Sequence, residues 1–192
     1  LQAYFKPYAA CRWSHPAIDG VLELVREHGL QASEIEEIHV EGFQQVRRLC
    51  DYAPATTVAA QYSIPFALAL ALTYGRIGPE ELIEANLQDE ELATLARKVR
   101  VSVDPGLDRL FPEKTASRVT VLTGRGSFTA SVEYPRGNPE NPLSDAQLAE
   151  KFLWLAADAI GERKSRKLMH AVERLEEMDS VVHLTELLAF QV

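Results

Sequence analysis

The sequence predicts an α+β fold: a two-layer α/β sandwich with a roughly four-stranded, mainly antiparallel sheet, plus C-terminal helices. Three observations predict it. Short alternating segments at 99–103 and 117–134, and an acid-flanked apolar segment at 36–41, read as strands. Helical patterns, one of them apolar all round, lie between and before those strands. Beyond residue 144 the pattern is helical. Residues 1–143 are read as an α/β domain and 144–192 as C-terminal helices.

The first helix is predicted over 16–28. Pro16 suits a first turn, Ile18, Val21, Leu22 and Val25 recur at helical spacing, and Gly29 is the expected C′ residue. Ile38-His39-Val40, flanked by acids, reads as a strand exposed on one face, with His39 turned to solvent. Residues 44–57 show no clear period and hold Arg47, Arg48, Cys50, Asp51, Tyr52 and Pro54. They suit either part of a site or a crossover loop with exposed arginines.

Phe66–Tyr74 alternates Ala with Leu, which imitates a period of two. Both residue types are apolar helix formers, so the alternation sorts no faces. Ser63 as N-cap, Pro65 in the first turn and Gly75 past the end make it a buried helix. Gly78-Pro79-Glu80-Glu81 is read as opening a short helix. Asp89–Lys98 is another, with Leu92, Leu95 and Ala96 as its stripe. Val99–Val103 alternates as a strand and stops at Asp104-Pro105-Gly106. Ser117–Thr123 and Ser127–Tyr134 form a hairpin around Gly124-Arg125-Gly126. The segment Tyr134–Leu143, with three prolines and a glycine, is a rigid ordered loop. Ser144-Asp-Ala-Gln147 is a capping box that launches a helix bearing Leu148, Phe152 and Leu155 on one face. Glu162–Phe190 is helical in character.

Composition narrows the function. With 28 acidic against 20 basic residues the formal charge is -8, which argues against general nucleic-acid binding. The basic cluster Arg163, Lys164, Arg166 and Lys167 runs straight into acidic Glu173–Asp179 and reads as a solvated amphipathic face. No run approaches the roughly 20 apolar residues of a membrane span. Cys11 and Cys50 are too few for a disulfide scaffold or a four-thiolate site, so a reduced, cytoplasmic setting is expected. No ligand set for a metal is visible, and phosphate-loop, dinucleotide-turn and hydrolase-elbow motifs are missing. A chain opening on Leu-Gln-Ala-Tyr-Phe is expected to be a piece of something longer.

The segment that concentrates chemistry is Lys6–His15: two cations, a thiol, a tyrosine, a tryptophan and an imidazole, with no acid before Asp19. It ends where a helix begins, and free N–H groups there favour an anion. Lys6, Arg12 and His15 are expected to gather around a small carboxylate. The same spacing also suits an irregular surface loop with solvated charges.

Lys6-Pro-Tyr-x-x-Cys-Arg-x-x-His15-Pro-x-Ile-Asp19 resembles the opening of the C-terminal domain of the MmgE/PrpD family. Gln61-x-Ser63-Ile-Pro-Phe66 with its Ala-rich helix, and Tyr134-Pro-x-Gly-x-Pro-x-Asn-Pro142, extend the resemblance in the same order. The family includes 2-methylcitrate dehydratase of propionate catabolism, cis-aconitate decarboxylase and iminodisuccinate epimerase. They are cofactor-independent, typically dimeric enzymes in which a helical N-terminal domain and a smaller α/β domain share an active site. The resemblance implies a lyase half-site for a di- or tricarboxylate that is inactive when isolated, with dehydration of a 2-methylcitrate-like acid leading. It puts Lys6 at a family lysine near the site. Cys11 falls where some members have histidine, and His15 on the motif's closing histidine. Tyr52 matches a tyrosine near the site.

Such chemistry breaks a bond on a carbon beside a carboxylate, which demands cations, charge stabilisation and an acid/base pair. Lys6, His15 and Tyr52 are the expected catalytic residues; Lys6, Arg12 and Cys11 the expected substrate contacts. No step requires Cys11 as a nucleophile. His15 can equally serve only to tie the loop to the helix start. A carboxylate-binding module without catalysis and a dimerisation domain are the competing readings.

Overall fold

The computed structural model describes residues 3–189. The chain divides into two compact units, Leu1–Pro142 and Leu143–Val192.

In the first unit the 3-10 turn Arg12–Ser14 runs into helix α1 (His15–His28), which closes on Gly29 in the left-handed region. Strand β1 (Ile35–Gly42) follows. The stretch 44–57 resolves into a 3-10 segment, Gln44–Leu49, and a turn that leads into α2 (Thr57–Gln61). Helix α3 (Ile64–Tyr74) has the predicted caps: the Ser63 hydroxyl accepts from Phe66 N–H, and Gly75 has φ 71°. Ser63 is buried and its hydroxyl also donates to the Asp51 carbonyl, so one side chain starts α3 and pins the preceding turn. Ser63→Ala is therefore expected to cost about 2 kcal/mol, a lost cap plus a buried carbonyl left unpaired, readable as a lowered urea midpoint.

The expected helix at Gly78 is absent. Glu81 is buried and its carboxylate accepts from Gly78 N–H (2.8 Å) and Arg76 Nε (2.7 Å), which holds residues 78–83 in turns. Helix is delayed to α4 (Glu84–Leu87), then α5 (Glu90–Arg97), capped by Asp89. Strand β2 (Val99–Val103), a one-turn helix α6 (Pro105–Asp108), and the hairpin β3 (Ser117–Thr123) and β4 (Gly126–Val132) complete the unit.

The four strands lie in the order β2-β1-β3-β4. The β1–β3 and β3–β4 pairs are antiparallel, with Val40 opposite Val119 and Val119 opposite Ala130. β1 and β2 are parallel, Ile38 opposite Val99, so the sheet is mixed. This is the predicted α+β sandwich. Along β3 the alternation is clean: Ser117, Val119, Val121 and Thr123 are buried, while Arg118, Thr120 and Leu122 face outward. The inward face packs on α1, α3 and α5, with Ile18, Val21, Ile38, Leu68, Leu70 and Val121 in one apolar core. Gly20 brings α1 close to β3, since a Cβ there would lie 3.0 Å from Val119 Cγ2. The outer face is polar. His39 is exposed there as predicted, 3.0 Å from Glu37, which also meets Arg100 at 3.0 Å; Arg118 pairs with Glu41 at 3.1 Å.

The second unit is helical. The Ser144–Gln147 capping box starts α7 (Asp145–Ile160), which packs against α8 (Glu162–Glu173) across Gly161. A 3-10 turn, Leu175–Glu177, and α9 (Val182–Leu188) follow; Phe190 of the predicted helical tail lies outside the described residues. Among the described residues, no helix is long and apolar enough to cross a membrane.

Candidate functional site

Four segments remote in sequence, around Gln61, Ile77, Thr115 and Gly137, converge on the residues before α1. The Pro-rich loop after β4 is ordered, as its composition predicts: Gly137 N–H bonds the Asn141 carbonyl at 2.8 Å and Asn141 Nδ2 bonds the Tyr134 carbonyl at 3.0 Å. It docks on the 4–19 segment at three points. Phe5 N–H donates to the Gly137 carbonyl at 3.0 Å, Arg12 Nη2 donates to Asn138 Oδ1 at 2.5 Å, and Arg136 N–H donates to Asp19 Oδ2 at 2.7 Å.

Arg12 sits on the 3-10 turn and is only partly buried. Its Nη1 donates to Thr115 Oγ1 at 3.3 Å, its Nη2 to Asn138, and its guanidinium lies over the Tyr4 ring, 4.6 Å from the centroid. All three partners are neutral. A hydroxyl, an amide oxygen and a ring face fix the plane of the cation without cancelling its charge, and no carboxylate among the described residues forms an ion pair with it. A guanidinium fixed in this way is prepared for an external carboxylate.

His15 stands elsewhere than expected. It is 0 % exposed, and both ring nitrogens are engaged: Nε2 with the Ala10 carbonyl at 3.1 Å and Nδ1 with the Tyr4 hydroxyl at 2.6 Å. A carbonyl only accepts, so Nε2 carries hydrogen; in the neutral imidazole so assigned, Nδ1 accepts from Tyr4. The Tyr8 ring meets the imidazole edge-on at 5.2 Å. The helix entrance is thus no open cradle for an anion. The 3-10 turn continues the helix outward, and Ser14, His15, Pro16, Ala17 and Ile18 are buried in succession. Arg12, one turn earlier, keeps its guanidinium partly exposed.

Tyr8 donates to Asp19 Oδ1 at 2.5 Å, beneath the Arg136 contact. Asp19 is 8 % exposed; burial pushes its carboxyl above the ordinary range, against the opposing pull of the Tyr8 and Arg136 hydrogen bonds. Burial also pushes the Tyr8 phenol up, with the Asp19 charge and hydrogen bond adding to it. Because the folded Asp19 holds its proton where the unfolded chain has released it, its contribution is fullest in acid. It is lost as pH rises through the elevated folded value. Stability of the wild type relative to Asp19→Asn should therefore increase as pH falls from about 7 to about 4, measured by paired urea titrations. A trend in the opposite direction would contradict the buried carboxyl.

The other predicted residues divide. Cys11 is partly buried, and its N–H donates to the Gln61 carbonyl at 2.7 Å. Tyr52 is partly buried in the turn that Ser63 pins through Asp51. Both therefore adjoin the short segment Gln61–Ser63 between α2 and α3. Lys6 is exposed, between Phe5, tied to Gly137, and buried Tyr8. Arg12 and His15 meet through Tyr4, one at its face and one at its hydroxyl. Sequence reading missed Tyr4, Tyr8, Thr115 and Asn138. The signal for Asp19 is an acid one position from Ile18 and two from Val21, at the start of an apolar helix face. Among the described residues no group of three or more His, Cys, Asp or Glu side chains is gathered to hold a metal.

A family model described as MmgE/PrpD C-terminal domain matches residues 8–177. No curated protein matches the chain.

Proposed function

The chain belongs to the MmgE/PrpD family, as a C-terminal domain, and from that premise we propose that it supplies one wall of the active site of a lyase acting on a di- or tricarboxylate. Dehydration of a 2-methylcitrate-like acid, the step that would serve propionate catabolism, is the leading reaction; decarboxylation of cis-aconitate or epimerisation of iminodisuccinate is the alternative. The observation that carries the reading is Arg12, a half-buried cation oriented by Thr115, Asn138 and the Tyr4 ring with no carboxylate of its own. A substrate carboxylate is the partner that completes it.

Lys6 adds a second cation on the exposed approach to the same loop and stabilises charge that develops as the bond beside the carboxylate breaks. Tyr52 and Cys11, flanking the α2–α3 junction, line the substrate side. A helical N-terminal domain of the same protein, on which residues 144–192 pack, supplies the opposite wall, and the enzyme works as a homodimer without cofactor. The isolated domain is inactive.

The test is the full-length protein assayed against 2-methylcitrate, cis-aconitate and iminodisuccinate with product analysis. Loss of water from 2-methylcitrate is the expected outcome. Release of CO₂ from cis-aconitate or inversion of iminodisuccinate would move the reaction within the family. No turnover of any of them would remove the polycarboxylate assignment.

A further inference from the structure

We propose that Tyr4 is the residue that exchanges a proton with the substrate, and that His15 is a positioning residue acting through the Tyr4 hydroxyl. The inference rests on the polycarboxylate reading above and names the acid/base group within that site. His15 has no exposed surface and spends Nε2 on the Ala10 carbonyl, so a substrate cannot reach the imidazole itself. Its Nδ1 is 2.6 Å from the hydroxyl of Tyr4. Tyr4 is only partly buried, and its ring carries the Arg12 guanidinium 4.6 Å above the centroid. One aromatic residue thereby joins the cation that would hold the carboxylate to the buried base.

The groups facing Tyr4 are Arg12 across the ring, His15 at the hydroxyl and Asp19 through its charge. Burial, with Asp19 adding and Arg12 opposing, raises the Tyr4 phenol above its ordinary value. A free tyrosinate is thus disfavoured, and the phenol passes protons only in concert with the imidazole. In a dehydration, the C–H proton beside the carboxylate passes to the Tyr4 oxygen while the phenolic proton passes to His15 Nδ1. The C–H electron pair becomes the new C=C bond as the C–O bond breaks. The departing hydroxide takes a proton from Tyr4, His15 returns its own to the phenol, and water leaves with the relay restored.

The experiment uses the full-length enzyme and the polycarboxylate it turns over. Tyr4→Phe keeps the ring under Arg12 and removes only the hydroxyl. It should lower kcat by about 10²–10⁴-fold and abolish solvent-deuterium exchange at the substrate carbon with KM nearly unchanged, while the melting midpoint falls by only a few degrees as buried His15 Nδ1 loses its partner. Incorporation of 3-fluorotyrosine at position 4, which preserves the fold and makes the phenol more acidic, should change kcat and its solvent isotope effect at fixed pH while leaving KM in place. Wild-type activity with an equally active Tyr4→Phe, or a kcat and isotope effect indifferent to the fluorinated residue, overturns the relay while the polycarboxylate reading stands. An inert wild type overturns both, and is recognised because the failure precedes any substitution.

Discussion

Lys6→Ala in the full-length enzyme is expected to lower kcat/KM on its polycarboxylate by about 10²–10³-fold, some 3–4 kcal/mol of transition-state stabilisation. The side chain is exposed, so removing it opens no cavity in the core. Its neighbours on either side are fixed, Phe5 through Gly137 and Ala9 through the Ile77 carbonyl at 2.9 Å, so the backbone should keep its course. The melting midpoint should therefore stay within about 1 °C while turnover collapses, a combination a structural lysine does not give. Steady-state kinetics beside calorimetry decides it, and Lys6→Arg, which keeps the charge, should recover part of the loss. Unchanged turnover in both Lys6→Ala and His15→Ala would remove the catalytic assignment of this segment.

The largest effect on stability is expected from Gly137→Ala. Gly137 has φ 88°, a region that residues with a Cβ rarely adopt, and a Cβ there would lie 1.8 Å from the Phe5 carbonyl oxygen. That contact is with backbone, so no side-chain rotation relieves it; the loop must lift away from the 4–19 segment. The cost is about 3 kcal/mol from strain and overlap together, or roughly 6–12 °C in melting midpoint for a chain of this size. Lifting the loop also strips Asn138 from Arg12 and the Arg136 N–H from Asp19, so carboxylate affinity should fall along with stability. A midpoint within about 1 °C of wild type would mean that the loop is not docked as described.

Much of the fold could be read from local pattern because the responsible forces are local. Ser63, Pro65 and Gly75 mark both ends of α3, and the Ser144–Gln147 box marks the start of α7. Alternation located β2 and the β3–β4 hairpin, and the acids flanking Ile38-His39-Val40 marked β1. The parallel pairing of β2 with β1 had no local signature, since the intervening helices hide which edge the returning strand joins. The helix expected at Gly78 failed because a buried carboxylate, Glu81, holds the chain in turns ahead of α4.

The candidate site was legible as a segment but not as an arrangement. Lys6, Arg12 and His15 stand out by residue type. Whether an imidazole faces outward or inward depends on Tyr4 and Tyr8 folding back over it, and spacing does not encode that. The carboxyl of Asp19 binds the loop through Arg136 N–H, which lies too far along the chain for any local window to pair them.

Arg12 reaches Thr115 across 103 positions, Asp19 meets Arg136 across 117, and Arg12 meets Asn138 across 126. Closing such long loops is entropically slow, and contacts of this span assemble after local structure. The carboxylate recognition proposed for Arg12 would accordingly be a late property of this polypeptide: a half-folded chain would carry its helices and still be blind to the metabolite. Ligand protection and global unfolding should report a single cooperative event, and a protease cut near Arg125, at the hairpin tip, should weaken carboxylate binding at Arg12 from the far end of the sheet.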